Sequence, residues 1–479
     1  MHPLKLEDIQ GIIVRGYSNL GAACFVLLEI QDAKATKQWL LTLSNSIQNG
    51  KERPSKTCLN IAFTYEGLKA LGVDKHTLST FSNEFQEGMV TSHRSRFLGD
   101  REESAPQLWE WGGPNTATVH ILLMLYASDE AALLKLYEFH AKNFAGAAVQ
   151  INKLETFSPK DEEDVRREHF GFRDGISQPI IEGLSRVGSP ENTIKAGEFI
   201  LGYPNEYGLY TERPMVKVQQ DPQNILPNDI EGSGDRDLGQ NGSYLVFRQL
   251  SQKVQEFWRF LDDATKENHG KSNPDARLKL ASKMVGRWPD GAPLVKTPDR
   301  DEPALANDNE FNYHHTDPHG FKCPLSAHIR RSNPRDSLDP APGTQRSIAI
   351  NKRHRILRRG RSYGTPIAAS MNPQDILNAE VSGERGMHFI CINANIGRQF
   401  EFVQQTWINN PKFSGLYSDT DALIGDRNLE GIEATVTFTE QSMPVRKRII
   451  GLPRFVVVRG GAYFFLPSIS AFRYLASMK

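Results

Sequence analysis

The sequence predicts an α+β protein of two halves, each an antiparallel sheet covered by helices. Three observations carry this expectation. Strand-like and helix-like stretches alternate over the first 150 residues, and the same style (strand, helix, long loop, strands) returns after Ser243. Between them, residues 155–240 are rich in proline and glycine, including Pro159, Pro179, Pro190, Pro204, Pro214, Pro222 and Pro227. The chain has 479 residues, 39% of them apolar, with 57 basic and 57 acidic side chains. Wholesale disorder is excluded, and zero net charge argues against a nucleic-acid partner held by bulk charge.

Taken in order, Gly11 to Val14 and Ala22 to Ile30 read as β-rich. Asp32 to Ile47 has helical spacing, with Trp39, Leu40 and Leu43 on one side. Cys58 to Thr64 reads as a strand, and Glu66 to Leu71 as a helix ended by Gly72. Val119 to Ala127 reads as a strand, and Ser128 as the cap of a helix over Ala131 to Asn143. This order is compatible with a ferredoxin-like βαββαβ unit. In the second half Ser243 to Leu250 reads as a strand. Ser251 to Ala264 reads as a helix with Val254, Phe257, Trp258 and Leu261 on one face. Met387 to Ile392, Arg454 to Val458 and Ala462 to Leu466 are separate strand candidates, and residues 265–345 read as loop-dominated. The division expected is 1–225 and 226–479.

The four cysteines, Cys24, Cys58, Cys323 and Cys391, form no CxxC pair and suit a reducing compartment. Glu7 and Asp8 stand where a secretory peptide needs an apolar core. No apolar stretch approaches the ~20 residues of a membrane span. The expectation is a cytoplasmic protein without membrane or nucleic-acid partners. Oligomeric state is not readable.

Two segments offer chemistry. In EHFGFRDGISQP, Gly171 and Gly175 bracket Asp174, so the backbone can turn tightly and approach a ligand; an Asx-type turn closing a loop is the plainer alternative. In CPLSAHIRRSNPRD, His328 precedes Arg330, Arg331 and Arg335. An imidazole followed by arginines suits a ligand to a metal carried by an anionic cofactor, or else a basic surface turn. His314, His315 and His319 in NYHHTDPHG look like a metal site, but adjacent loop histidines rarely reach one ion together.

GFRDG matches the GxxDG signature of the dye-decolorising peroxidases, a haem peroxidase family. CPLSAHIRRSNPRD resembles that family's proximal-histidine segment, and HRILRRGRSYG (His354 to Gly364) its distal-arginine segment. GSYLVFRQL, KMVGRWPDGAPL, RGMHFICINANIGRQFEFVQ and RGGAYFFLPS follow in the family's order, and DIQGIIVRGY resembles its opening. The length resembles the long-chain bacterial and fungal-like members.

The resemblance implies a pair of ferredoxin-like domains, each an antiparallel sheet covered by helices in a dimeric α+β barrel-like arrangement, and one haem b per chain, held mainly by the second domain. His328 falls on the axial iron ligand, Asp174 on the distal acid and Arg358 on the distal arginine. Phe389 and Met387 fall on apolar positions over the distal haem face, and Arg330 is a candidate for a haem propionate. Arg359 points away from Arg358 if the segment is extended. The proximal histidine needs an N–H acceptor, and Glu401 and Asp421 are both candidates. The implied activity is reduction of hydrogen peroxide with one-electron oxidation of dyes, phenols or other aromatic reductants through a ferryl intermediate. Alternatives on the same scaffold are iron release from haem and non-catalytic haem binding. Electron transfer from a surface residue would draw on Trp109, Trp111, Trp258, Trp288, Trp407 and the 13 tyrosines. Some members of the family are packaged in nanocompartments by a C-terminal tail; from the closing SAFRYLASMK no such tail-directed role is expected.

Overall fold

The structure, a computed structural model, describes residues 3–157, 167–184, 188–427 and 436–478. Nine strands form one sheet: β1 Ala22–Ile30, β2 Thr57–Phe63, β3 Ile121–Ala127, β4 Ala148–Glu155, β5 Ser243–Gln252, β6 Leu357–Arg358, β7 Arg361–Tyr363, β8 Gly386–Asn393 and β9 Val456–Leu466. Their order is β6-β8-β5-β9-β2-β3-β1-β4, with β7 also on β8, and every pairing is antiparallel. That order is one βαββαβ sheet repeated: β2-β3-β1-β4 in the first half and β6/β7-β8-β5-β9 in the second. Helices Ala33–Leu43 and Glu130–Phe144 follow β1 and β3, and helix Val254–Thr265 follows β5. Their N-termini are set locally. Asp32 accepts the Ala35 N–H, and Asp129, one residue after the expected Ser128, accepts the Ala132 N–H.

The halves join where β9 meets β2, at Phe465 and Phe63. At the opposite edges the Phe157 N–H donates to Ser362 O at 2.7 Å, so the end of β4 lies against β7 and the sheet curls into a barrel. Alternation assigns two cores. Phe25, Leu27, Phe247, Ile390, Ile392, Phe464 and Leu466 share the barrel interior, where the Phe25 and Phe247 rings sit 5.3 Å apart. Cys24, Val26, Leu28, Val246 and Phe465 face outward into a second cluster with Trp39, Leu40 and Leu43 beneath the helices. Both faces are buried, so β1 and β3 read as near-continuous apolar runs. Each wholly buried Leu or Phe contributes on the order of 1.5–3 kcal/mol of apolar transfer.

Three expectations need correction. Gly11–Val14 is a helical turn, because it brings Ile9, Ile12 and Ile13 together in the barrel core while Gln10 donates its amide to Ile61 O and Pro467 O. The two strand candidates near the end are one strand, β9, with its register shifted between Val458 and Gly460. Gly460 is required there: a Cβ would lie 2.5 Å from Trp111 Nε1. Residues 265–345 also hold a regular helix, Pro274–Val285, which Asn273 caps by accepting the Ala276 N–H. The last helix, Ile469–Ser477, returns to the first half, where Phe472 meets Phe63 and Asp8 accepts the Ile469 and Ser470 N–H groups. Pro159 lies outside the described residues. No helix among the described residues is long and apolar enough to cross a membrane.

Candidate active site

The site grows from the helix-covered face of the second half-sheet. Along β8, His388, Ile390 and Ile392 are buried, whereas Met387 and Phe389 alternate with them and remain partly open. Arg358 on β6 pairs directly with Cys391, so its side chain shares the face of Cys391, Phe389 and Met387. Arg359 turns the other way, and its Nε donates to Ile12 O at 2.7 Å. Adjacent arginines on an extended segment thus take opposite roles.

Arg358 Nη1 donates to Asp174 Oδ1 at 2.6 Å. The loop carrying Asp174 turns through Gly171 and Gly175, with φ of +96° and +78°. A Cβ at Gly175 would meet nothing within 4 Å, so backbone conformation alone demands glycine there. The loop is held from several sides. Glu168 accepts the Phe170 and Phe172 N–H groups at 2.9 and 3.0 Å, and the Arg173 N–H donates to Pro289 O at 3.0 Å. Gln178 accepts the Arg358 N–H at 3.0 Å and so fixes the loop to β6. The Trp288–Gly291 turn is therefore a buttress, and Trp288 itself is buried with its indole N–H on Thr297 O at 2.7 Å.

His328 opens the short helix His328–Ser332. Its Nδ1 lies 2.9 Å from Asp421 Oδ2. Asp421 is wholly buried, and its other oxygen accepts the Leu423 and Ile424 N–H groups at 2.9 and 3.0 Å. Glu401, the other candidate, is taken by Arg94 at 2.7 Å and by the Tyr463 hydroxyl at 2.7 Å. With Nδ1 carrying the proton toward Asp421, Nε2 presents its lone pair away from the carboxylate. At the end of the same helix, Asn333 donates to Ser177 Oγ at 3.4 Å and accepts from Asn351 at 2.9 Å. This chain ties the His328 helix to the Asp174 loop.

The groups feel one another electrostatically. Burial disfavours ionised Asp174, but the Arg358 charge, the Gly175 N–H and the field of His328 together hold its carboxyl below the usual range. Burial disfavours the His328 cation, and Asp421 outweighs it by charge and hydrogen bond; Arg358 opposes and Asp174 assists, so the net shift is upward. Burial also raises Asp421, yet His328, the Ile424 N–H and Arg331 carry it below the usual carboxylate range.

The structure therefore brings His328, Asp174, Arg358 and Phe389 to one region. Arg330 is the exception. Its guanidinium donates to Asp317 Oδ2 at 3.2 Å, to Cys323 O and Asp317 O at 2.9 Å, and to Pro318 O at 3.4 Å, and it lies over the Tyr313 ring. At 1% exposure it has little donor capacity left for a propionate. Gln178, Asn333 and Asn351 were not expected from the sequence. Gln178 stands four residues after Asp174 in the same segment, which is the signal that would have found it. His314, His315 and His319 form no metal cluster, and no such group of three occurs among the described residues. All six tryptophans are buried, while Tyr207 and Tyr417 are 52% and 74% exposed.

Residues 8–157 match the model of the DyP dimeric alpha+beta barrel domain. A dye-decolorizing peroxidase of Exidia glandulosa is 31% identical over 486 residues, covering 98% of this chain and 86% of that protein. This chain belongs to the dye-decolorizing peroxidase family. Among solved structures, a decolorizing peroxidase of Auricularia auricula-judae is similar with a TM-score of 0.77 and 27% identity, over 99% of this chain and 100% of the other. A dye-decolorizing peroxidase in complex with 2,6-dimethoxyphenol matches with a TM-score of 0.78 and 26% identity, over 99% of this chain and 100% of the other. Dye-decolorizing peroxidases are haem peroxidases, and the donor set here fits an iron porphyrin. His328 Nδ1 is occupied by Asp421 and its side chain keeps 27% exposure, so Nε2 is the one imidazole nitrogen left to ligate iron.

Proposed function

We propose that this peroxidase would hold one haem b through His328, whose Nε2 is left for iron, with Asp174, Arg358 and Phe389 lining the pocket into which peroxide would enter. It reduces hydrogen peroxide and oxidises phenols, dyes or other aromatic reductants in one-electron steps. The observation that carries the reading is the 2.6 Å Arg358–Asp174 pair, set within the field of a histidine whose second nitrogen is held by a buried carboxylate. When bound, the haem supplies an iron with one position open to peroxide and a store of oxidising equivalents.

The chain's own residues do the rest. Asp174, kept ionised in acid by Arg358, takes the proton from the near peroxide oxygen and returns it to the departing one, which leaves as water. Arg358 is a preorganised cation beside the negative charge that develops as the O–O bond lengthens. Asp421 holds the His328 Nδ1 proton and makes Nε2 the stronger donor. Phe389 and Met387 give the distal face an apolar wall. Gln178 and the glycine turn keep Asp174 at a fixed distance from Arg358.

Iron release from haem and passive haem binding both need His328 but give the Arg358–Asp174 pair no task. The pair is the observation that favours the peroxide route. We further propose a cytoplasmic location, from the unpaired cysteines, and a division of the chain near 225/226. The deciding experiment is the absorption spectrum with and without hydrogen peroxide for the wild type, His328→Ala and Asp174→Ala. The reading expects a Soret band in the wild type, its loss or shift in His328→Ala, and an unaltered resting band with no rapid peroxide response in Asp174→Ala. A full peroxide response in Asp174→Ala would overturn it.

A further inference from the structure

Most buried arginines among the described residues have a carboxylate or two or more backbone carbonyls on the guanidinium. Arg94, Arg213, Arg248, Arg277 and Arg330 each meet a carboxylate. Arg331 and Arg335 donate to backbone carbonyls of Trp407, Asp419, Asn309 and Phe311. Arg355 does not follow this pattern. It is 5% exposed, and among the described residues its Nη2 has no hydrogen-bond partner and its guanidinium no carboxylate. The charges closest to it are Arg335 and Arg358, both cations.

The backbone that carries this buried side chain is fixed on both sides. The Gln399 amide donates to Arg355 O at 2.7 Å, and the preceding His354 is fixed by a 2.6 Å contact with Arg398 O and a 3.9 Å stack on Phe402. A guanidinium held in low dielectric beside two like charges strongly favours an anion next to it. Burial, then Arg335 and Arg358, push its pKa down to about 9, the expected response to missing counter-charge. Asp174 does not supply that counter-charge, since its carboxylate is paired with Arg358.

We propose that Arg355 is an anion-receiving residue of this site that binds a carboxylate, and that this carboxylate is a propionate of the haem. The inference rests on the haem reading above. It differs from the expectation for Arg330, whose donors the protein already uses. Arg355 stands three residues before Arg358 on the same segment, so the anion it receives lies within electrostatic reach of the distal pair.

The test compares haem with haem dimethyl ester, which keeps the ring and iron but masks both carboxylates. Binding of each is measured by absorbance on haem-free wild type, Arg355→Met and Arg355→Lys. The wild type is expected to prefer the diacid by roughly tenfold or more, the scale of one charged buried hydrogen bond. Arg355→Met should lose most of that preference, and Arg355→Lys should keep part of it. Haem-free Arg355→Met should unfold at a urea concentration no lower than the wild type, because it removes an uncompensated buried charge. An undiminished diacid preference in Arg355→Met, or a clearly lower urea midpoint, would overturn the proposal. Acetate separates the two carboxylate sources. If millimolar acetate stabilises haem-free wild type but not Arg355→Met, and the two porphyrins bind alike, the site takes a solute carboxylate and the propionate assignment falls. If the wild type develops no Soret band with either porphyrin, the haem reading itself falls, and the acetate comparison alone decides whether Arg355 receives an anion.

Discussion

Asp421→Asn changes one atom in the buried pair beneath His328. The amide oxygen can still accept the Leu423 and Ile424 N–H groups, so the shape of the turn is preserved. The other arm now presents an N–H₂ to His328 Nδ1 in place of a carboxylate at 2.9 Å. Two donors cannot face each other, so the imidazole is driven to the tautomer with its proton on Nε2, the nitrogen that should ligate iron. A charge-assisted buried hydrogen bond is worth about 1.5–3 kcal/mol. Passed in full to the ligand, that lowers haem affinity by roughly 10- to 150-fold at 1.36 kcal/mol per decade. If the ferric form alone feels it, the ferric/ferrous midpoint rises by roughly 65–130 mV, at 59 mV per tenfold for one electron. A spectroelectrochemical titration of the haem-loaded variant reads this directly. A midpoint within about 20 mV of the wild type, with the haem still bound, would refute the assignment of Asp421 as the group that tunes His328. The haem-free protein gives an independent check by linkage. His328 has a raised folded pKa, so its contribution is complete below about pH 6.5 and fades as pH rises through the folded value. Asp421 has a depressed folded pKa, so its contribution is present above about pH 3.9 and fades as pH falls through the folded value. The stability gap between wild type and Asp421→Asn in urea should therefore be widest from about pH 4 to 6.5.

The acid limb of dye turnover should lie below about pH 4, because Arg358 and the Gly175 N–H hold the Asp174 carboxyl below the ordinary carboxylate range; an acid limb well above that range would count against Asp174 as the base. Gly175→Ala forces a side chain onto a φ of +78° without a clash, so it should destabilise by about 1–2 kcal/mol and slow the peroxide step while leaving the resting spectrum intact, as stopped-flow would record. Gln178→Leu leaves the Arg358 N–H without its acceptor, a loss of about 1–3 kcal/mol, and should lower kcat/KM for peroxide with little change in KM for the reductant.

The regular elements were legible where burial and local chemistry agreed. The helix after β1 and the strand β3 announce themselves by apolar spacing, and Gly72 marks a helix end by its left-handed conformation. Gly11–Val14 was not legible, because a four-residue apolar run has no period and only the barrel core decides its shape. The split of β9 in the sequence reading came from Arg459, Gly460 and Gly461, which look like a break. They are continuous strand because Trp111, 349 residues earlier, needs that gap. At the site, His328, Asp174 and Arg358 sit in distinctive segments, and the structure brings the three to one region. The choice between Glu401 and Asp421 was not legible. It depends on Arg94 and Tyr463 drawing Glu401 away, partners that sequence separation hides. Arg330 was misplaced for the same reason, since Asp317 and three carbonyls claim it only once the loop has closed.

The route of the chain through β9 and the helix Ile469–Ser477 bears on how the molecule is made. During synthesis β2 remains an uncovered edge, with Phe63 lacking Phe472, until somewhat more than 400 further residues have left the ribosome. At about 5–20 residues per second that is an exposure of tens of seconds, long enough for chaperone capture or for mispairing with a neighbouring nascent chain.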